Sequence, residues 1–147
     1  EGNFMLRLQT CLDQLAAAAR MYPQLSAELV LVEWAPPPKR PPLRRALRWP
    51  KGLPPVRIIR VPPEIHEALP QAAKDGFPQF FAKNVGMRRA RGKYQLVTNG
   101  DVLLGHVLVE ILALQQLDEN AFYRIDRHDL HQRFHPSMRG GDLTEAS

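Results

Sequence analysis

With 147 residues and a formal net charge of +5, the chain has the length of one domain with a hydrophobic core, since domains commonly run ~100–150 residues. No apolar run approaches the ~20 residues that cross a bilayer, and no basic segment leads into an apolar core of signal-peptide type, so a soluble chain is expected. The single cysteine, Cys11, lacks an internal disulfide partner and suits a reducing, cytoplasmic compartment. The basic balance favours anionic partners: nucleic acid, lipid head groups at a membrane periphery, or a nucleotide diphosphate.

Asn3 is a plausible N-cap, and Phe4, Leu8, Cys11, Leu12, Leu15 and Ala19 recur at three- and four-residue spacing, which predicts an amphipathic helix to about Arg20. Glu28 to Glu33, ELVLVE, is too short for a helix and rich in branched residues. It reads as a strand buried on both faces, as in parallel sheets. Residues 35–63 hold ten of the fourteen prolines; of these Pro36, Pro37, Pro38, Pro41 and Pro42 exclude regular structure around them, while Leu43 to Trp49 has room for one or two helical turns. A proline-rich ligand centred on PPPKRPP is the alternative to a stiffened loop.

Val56 to Val61, VRIIRV, is the second strand, and Pro62-Pro63 starts a short helix, PPEIHEAL. Gly76 to Pro78 breaks the chain before a helix over Gln79–Arg91 that Gly92 stops. A strand at Tyr94–Thr98 leads to the acidic turn Asn99-Gly100-Asp101. Leu104, Leu108, Ile111, Leu112 and Gln115 then mark another amphipathic helix, and Phe122 to Ile125 a last strand. Strands alternating with helices imply an α/β domain with a mainly parallel sheet over residues 1–130 and a polar tail at 131–147.

Asn-Gly between apolar runs is a strong β-hairpin signal, but the apolar positions that follow recur at helical spacing and favour strand-turn-helix. In an open α/β sheet, the turn at the carboxyl end of a strand is where ligands bind. There Asp101 would hold a hard divalent cation through its carboxylate, with a carbonyl oxygen from Asn99. Magnesium or manganese sites need few protein ligands when substrate phosphates supply the rest. Asp126 and Asp129, near the last strand, are candidate general bases, with solvated surface charge as the plainer reading. His128, His131 and His135 have zinc-compatible helical spacing but sit beside Pro136 and the polar tail. His66 and His106 read as surface residues of their helices.

The arginines Arg44, Arg45, Arg48, Arg57, Arg60, Arg88, Arg89 and Arg91 would suit a phosphodiester backbone. No aromatic-basic nucleic-acid motif accompanies them, and Arg57 and Arg60 point to opposite faces of a strand. Nucleic-acid binding is accordingly the lesser expectation.

The run A-K-N-x-G-x-x-x-A-x-G-x-Y at Ala82–Tyr94, followed by Q-L-V-T-N-G-D, resembles the central block of the family 2 glycosyltransferases with the A-type nucleotide-sugar fold, and most of all a bacterial branch of that family. Asn84, Gly86, Ala90, Gly92 and Tyr94 stand in step with the family's pattern. Asn99-Gly100-Asp101 occupies the place of its D-x-D metal motif, and ELVLVE resembles its E-I-I-V-V-D strand.

The resemblance implies a partial GT-A, Rossmann-like sheet with helices on both faces. The implied activity is metal-assisted, inverting transfer of a sugar from a nucleoside-diphosphate sugar to a hydroxyl of a glycan, lipid or small molecule. Glu33 would contact the nucleoside, Lys83 and Asn84 the nucleotide region, and Asn99 and Asp101 the manganese or magnesium diphosphate. Asn99 replaces the first aspartate of D-x-D, Trp34 replaces a second acid, and the family's opening strand and later acceptor segment have no recognisable counterpart. The expectation is therefore a truncated domain in which Glu28–Glu33 and Tyr94–Thr98 pair directly, or copies associate through open sheet edges. A catalytically inactive interaction module of that fold is the alternative.

Overall fold

The computed structural model describes residues 4–70 and 78–128. These form two compact units, one drawing on residues 4–25, 49–53 and 99–128 and the other on residues 26–48, 54–70 and 78–98.

The first unit is helical. Helix α1, Phe4–Met21, buries Leu8, Leu12 and Ala16, one residue per turn along a single stripe, with Ala18 beside them. Withdrawing one such leucine side chain from water contributes ~1.5–3 kcal/mol. At the end of α1, Arg20 reaches the carbonyl of Lys51 at 2.7 Å and pins the 49–53 loop. That loop turns on Gly52 with φ +91°. A second helix in this unit, His106–Ala113, packs on α1 and buries Val109 and Ala113.

The second unit is built on two strands. Strand β1, Leu29–Trp34, pairs in parallel with β2, Val56–Val61, Leu29 opposite Val56 and Trp34 opposite Val61. Between them lies a one-turn helix, α2, Leu43–Ala46. After β2 comes α3, Pro63–Glu67, whose proline sits in the first turn, where its missing N–H costs nothing. Helix α4, Gln79–Met87, lies against β1 and buries Ala82. Numbered in chain order, the helix His106–Ala113 is α5. No helix among the described residues is long and apolar enough to cross a membrane.

The expected first helix, the two strands ELVLVE and VRIIRV, a parallel sense of pairing and the proline-started helix are present, but ELVLVE pairs with VRIIRV and not, as expected, with Tyr94–Thr98 or another chain. Several expectations are corrected. Tyr94–Thr98 is not a strand: these residues are irregular, and Leu96 and Val97 are exposed. Phe122–Ile125 is not a strand either, and its three large apolar residues face solvent, Phe122 at 95% exposure. Both runs have strand propensity, but a strand exists only with a partner, and among the described residues the sheet has two strands, not a wider Rossmann-like array.

β1 is half-buried at its apolar positions, and its one buried residue is the acid Glu33. A two-stranded sheet does not cover both faces as a wide parallel sheet does. The helix expected over Gln79–Arg91 ends at Met87; Arg89 and Ala90 then donate to the Gly86 carbonyl in a closing turn, so Gly92 is not its stop. The turn at Asn99-Gly100 is neither a hairpin nor a strand end. Asn3, Gly76, the zinc ligands His131 and His135, and the tail at 131–147 lie outside the described residues.

Candidate functional site

In the second unit, Glu33 sits at the carboxyl end of β1, where a parallel strand presents its last side chains to a ligand. Its carboxylate is engaged. The Leu43 N–H, first in α2, donates to Oε1 at 2.8 Å, and Arg60 Nε is 4.0 Å from Oε2. An acid ten residues upstream thus satisfies a free amide of the helix start, where Pro42 supplies no side-chain cap. The side chain is 9% exposed, and the bond to Leu43 explains how a charge is tolerated there.

Beside it, the Trp34 indole donates to His66 Nδ1 at 3.2 Å, the two rings standing edge to face at 88°. Phe81 of α4 also lies beside the indole, tilted at 43° with ring centroids 6.5 Å apart. His66 is therefore half-buried and bonded, not a plain surface residue. Lys83 and Asn84 lie on α4, Lys83 half-buried and Asn84 exposed. A Cβ on Gly86 would meet Val32 Cγ2 at 3.4 Å, an ordinary contact, so packing alone does not demand that glycine.

After α4 the chain is stapled to the sheet. Glu28 accepts from the Arg91 N–H at 2.5 Å and lies 3.3 Å from Arg57 Nε, while an Arg57 Nη2 donates to the Arg89 carbonyl.

Asn99 and Asp101 belong to the first unit, in a turn closed by the Val102 N–H donating to the Asn99 carbonyl at 3.3 Å. α1 carries this turn. A Cβ on Gly100 would stand 3.3 Å from Leu8 Cδ1, so glycine permits the close approach. Gln14 clamps the downstream side with both ends of its amide: Oε1 accepts from the Leu104 N–H at 3.2 Å and Nε2 donates to the Leu104 carbonyl.

Arg7 Nε lies 3.3 Å from Asp101 Oδ2. Burial, reinforced by the Asp101 charge and opposed by Arg7, pushes the Cys11 thiol up to about 11. Arg7, Cys11 and Gln14 escaped the sequence reading as partners of this turn. Their spacing of four and three on α1 is the signal that would have found them, because it puts them on one helix face.

Asp126 is 80% exposed and bonded at 3.0 Å to Arg124, two residues away. Asp129 lies outside the described residues. Among the described residues no three His, Cys, Asp or Glu side chains cluster. The turn offers one carboxylate, Asp101, paired with Arg7, and the Asn99 carbonyl accepts from the Val102 N–H. A hard cation that arrives with substrate phosphates needs only one or two protein ligands, and the Arg7–Asp101 pair is partly exposed and worth little.

No family model matches the chain, and no curated protein or solved structure matches it either.

Proposed function

We propose that the chain is a glycosyltransferase domain of the A-type nucleotide-sugar class, taking a nucleoside-diphosphate sugar and passing the sugar to a hydroxyl acceptor. The observation that carries the reading is the parallel β1–β2 pair with an acid, Glu33, at the carboxyl end of β1, and α4, bearing Lys83 and Asn84, laid against β1. The motif resemblance across Ala82–Asp101 supplies the reaction class. In this reading Glu33 contacts the nucleoside, and Lys83 and Asn84 the nucleotide region. Asp101 and Asn99 would hold manganese or magnesium, which neutralises charge on the departing diphosphate.

The acceptor oxygen attacks the anomeric carbon from the face opposite the diphosphate. The carbon–oxygen bond to the diphosphate breaks, and the hydroxyl proton passes to a carboxylate, Asp126 or Asp129. A second reading, a binding module without turnover, is favoured by Asp126 standing in solvent against Arg124.

Titration with uridine and guanosine diphosphates, with and without manganese, tests the proposal on this chain and on Asp101→Ala. Metal-dependent binding lost in the variant supports it, and equal binding by both proteins removes the assigned site. Release of sugar to an acceptor separates transferase from binding module.

A further inference from the structure

We propose that the second unit docks on an anionic lipid surface through the proline loop and short helix at 37–45, with Lys39, Arg40 and Arg45 as its cations. This goes beyond the glycosyltransferase reading and uses none of the residues assigned to it.

The basic charge of the chain is not spread evenly. Among their described residues the second unit holds twelve lysines and arginines against four acids, whereas the first holds five against six. Attraction to an anionic surface therefore belongs to the second unit. Two of its acids are engaged, Glu28 with Arg57 and the Arg91 N–H, and Glu33 with Arg60 and the Leu43 N–H. The other two, Glu64 and Glu67, are on α3.

Residues 34–63 contain no acid. Within them Lys39, Arg40 and Arg45 are exposed, and among the described residues none of the three has an ion-pair partner. Arg44 and Arg48, exposed as well, have partners within the chain. The base of the loop is fixed: Pro36 is buried, Leu47 is 6% exposed, and the Leu43 N–H is bonded to Glu33 at 2.8 Å. Beyond that base, the Arg40 N–H donates to the Pro37 carbonyl at 3.1 Å and closes a turn on which Pro37, Pro38 and Pro41 are exposed. A loop stiffened in this way gives up little freedom on binding.

The main chain of the loop narrows the choice of partner. Pro36, Pro37, Pro38, Pro41 and Pro42 have no N–H to donate, and those of Arg40 and Leu43 are used within the chain. The loop can therefore neither cradle a phosphate with successive amides nor add a partner's strand. No aromatic side chain occurs at 37–48 on which a base could stack. Mobile anionic head groups need none of these features. They gather around exposed cations, and the rings of Pro37, Pro38 and Pro41 leave water for the interface, which a phosphodiester backbone does not provide.

The test is vesicle flotation of the unaltered chain without nucleotide or metal. Expected are binding to vesicles of equal parts phosphatidylserine and phosphatidylcholine, none to phosphatidylcholine alone, and loss of binding as salt rises. Each cation at such a surface strengthens binding about fivefold. Lys39→Glu with Arg40→Glu thus weakens it by about twenty-five-fold or more. Arg88→Glu with Arg91→Glu, an equal change of net charge at exposed positions outside the loop, weakens it less.

Equal binding to the two kinds of vesicle overturns the proposal, as does equal weakening by the two double variants. So does tighter binding to an oligonucleotide or to polyglutamate than to the phosphatidylserine vesicles. The vesicle comparison on the unaltered chain decides the matter even where a variant fails to fold. None of these outcomes depends on nucleotide-sugar binding.

Discussion

Arg7 and Asp101, ninety-four positions apart in the chain, meet at 3.3 Å, so the acid of the Asn99-Gly100-Asp101 turn is held by a guanidinium on α1. The pair sets the availability of the turn's carboxylate. Both side chains keep solvent access, 47% for Arg7 and 30% for Asp101, which puts the pair among exposed ion pairs worth ~0.2–1 kcal/mol. Arg7→Ala is expected to free the carboxylate and tighten manganese binding about two- to fivefold, measured as bound manganese by electron paramagnetic resonance. Unchanged binding would show that Asp101 is not the ligand.

Cys11 reports on the same pair. Its thiol is pushed up to about 11, first by burial and then by Asp101, with Arg7 pulling the other way. Alkylation at mildly alkaline pH is therefore expected to be slower than for a free thiol. Asp101→Asn speeds it, and Arg7→Ala slows it further. The unfolded chain ionises first, so folding stability contributed by the neutral thiol is full below the ordinary thiol range. It falls as pH rises toward 11. Iodoacetamide rates across pH, with urea melts at the same pH values, check both signs.

Glu33 is a bonded acid before it is a ligand. Glu33→Ala leaves the Leu43 N–H without its acceptor and is expected to cost ~1–3 kcal/mol. Glu33→Gln keeps an acceptor oxygen and loses less. Urea denaturation of the two variants separates the hydrogen bond from the charge.

Gly52 has a conformation that an L residue adopts only under strain. At φ +91° a Cβ would lie 2.7 Å from Arg20 Cγ and 3.4 Å from the Ala16 carbonyl oxygen. Gly52→Ala is expected to destabilise the chain by ~1–2 kcal/mol or more, since the backbone strain adds to displacement of Arg20 from Lys51. Thermal melting of the variant, with Arg20→Ala as a control for the lost Lys51 contact, measures it.

Local pattern determined much of this protein. The stripe Leu8, Leu12, Ala16 specifies α1 because one residue per turn buries one face. The branched runs at 29–34 and 56–61 specify β1 and β2 because neither is long enough for a helix. Pro63 starts α3 because a first-turn residue needs no N–H. At Tyr94–Thr98 and Phe122–Ile125 the same local logic failed, because strand propensity becomes structure only when another strand supplies hydrogen bonds and a face to cover.

The candidate site divides in the same way. Glu33, Lys83, Asn84, Asn99 and Asp101 were nameable from residue type and motif spacing. Their present partners were not: Leu43 on Glu33 and Arg7 on Asp101 are pairings across chain distance that depend on where folding puts each backbone. The sequence by itself determined α1, α3, β1 and β2 and the acid of the Asn99-Gly100-Asp101 turn, since those follow from short-range periodicity and backbone sterics. Only the tertiary structure decided that one strand pairs and another stays irregular, and that each acid is already bonded, since both depend on contacts between distant residues.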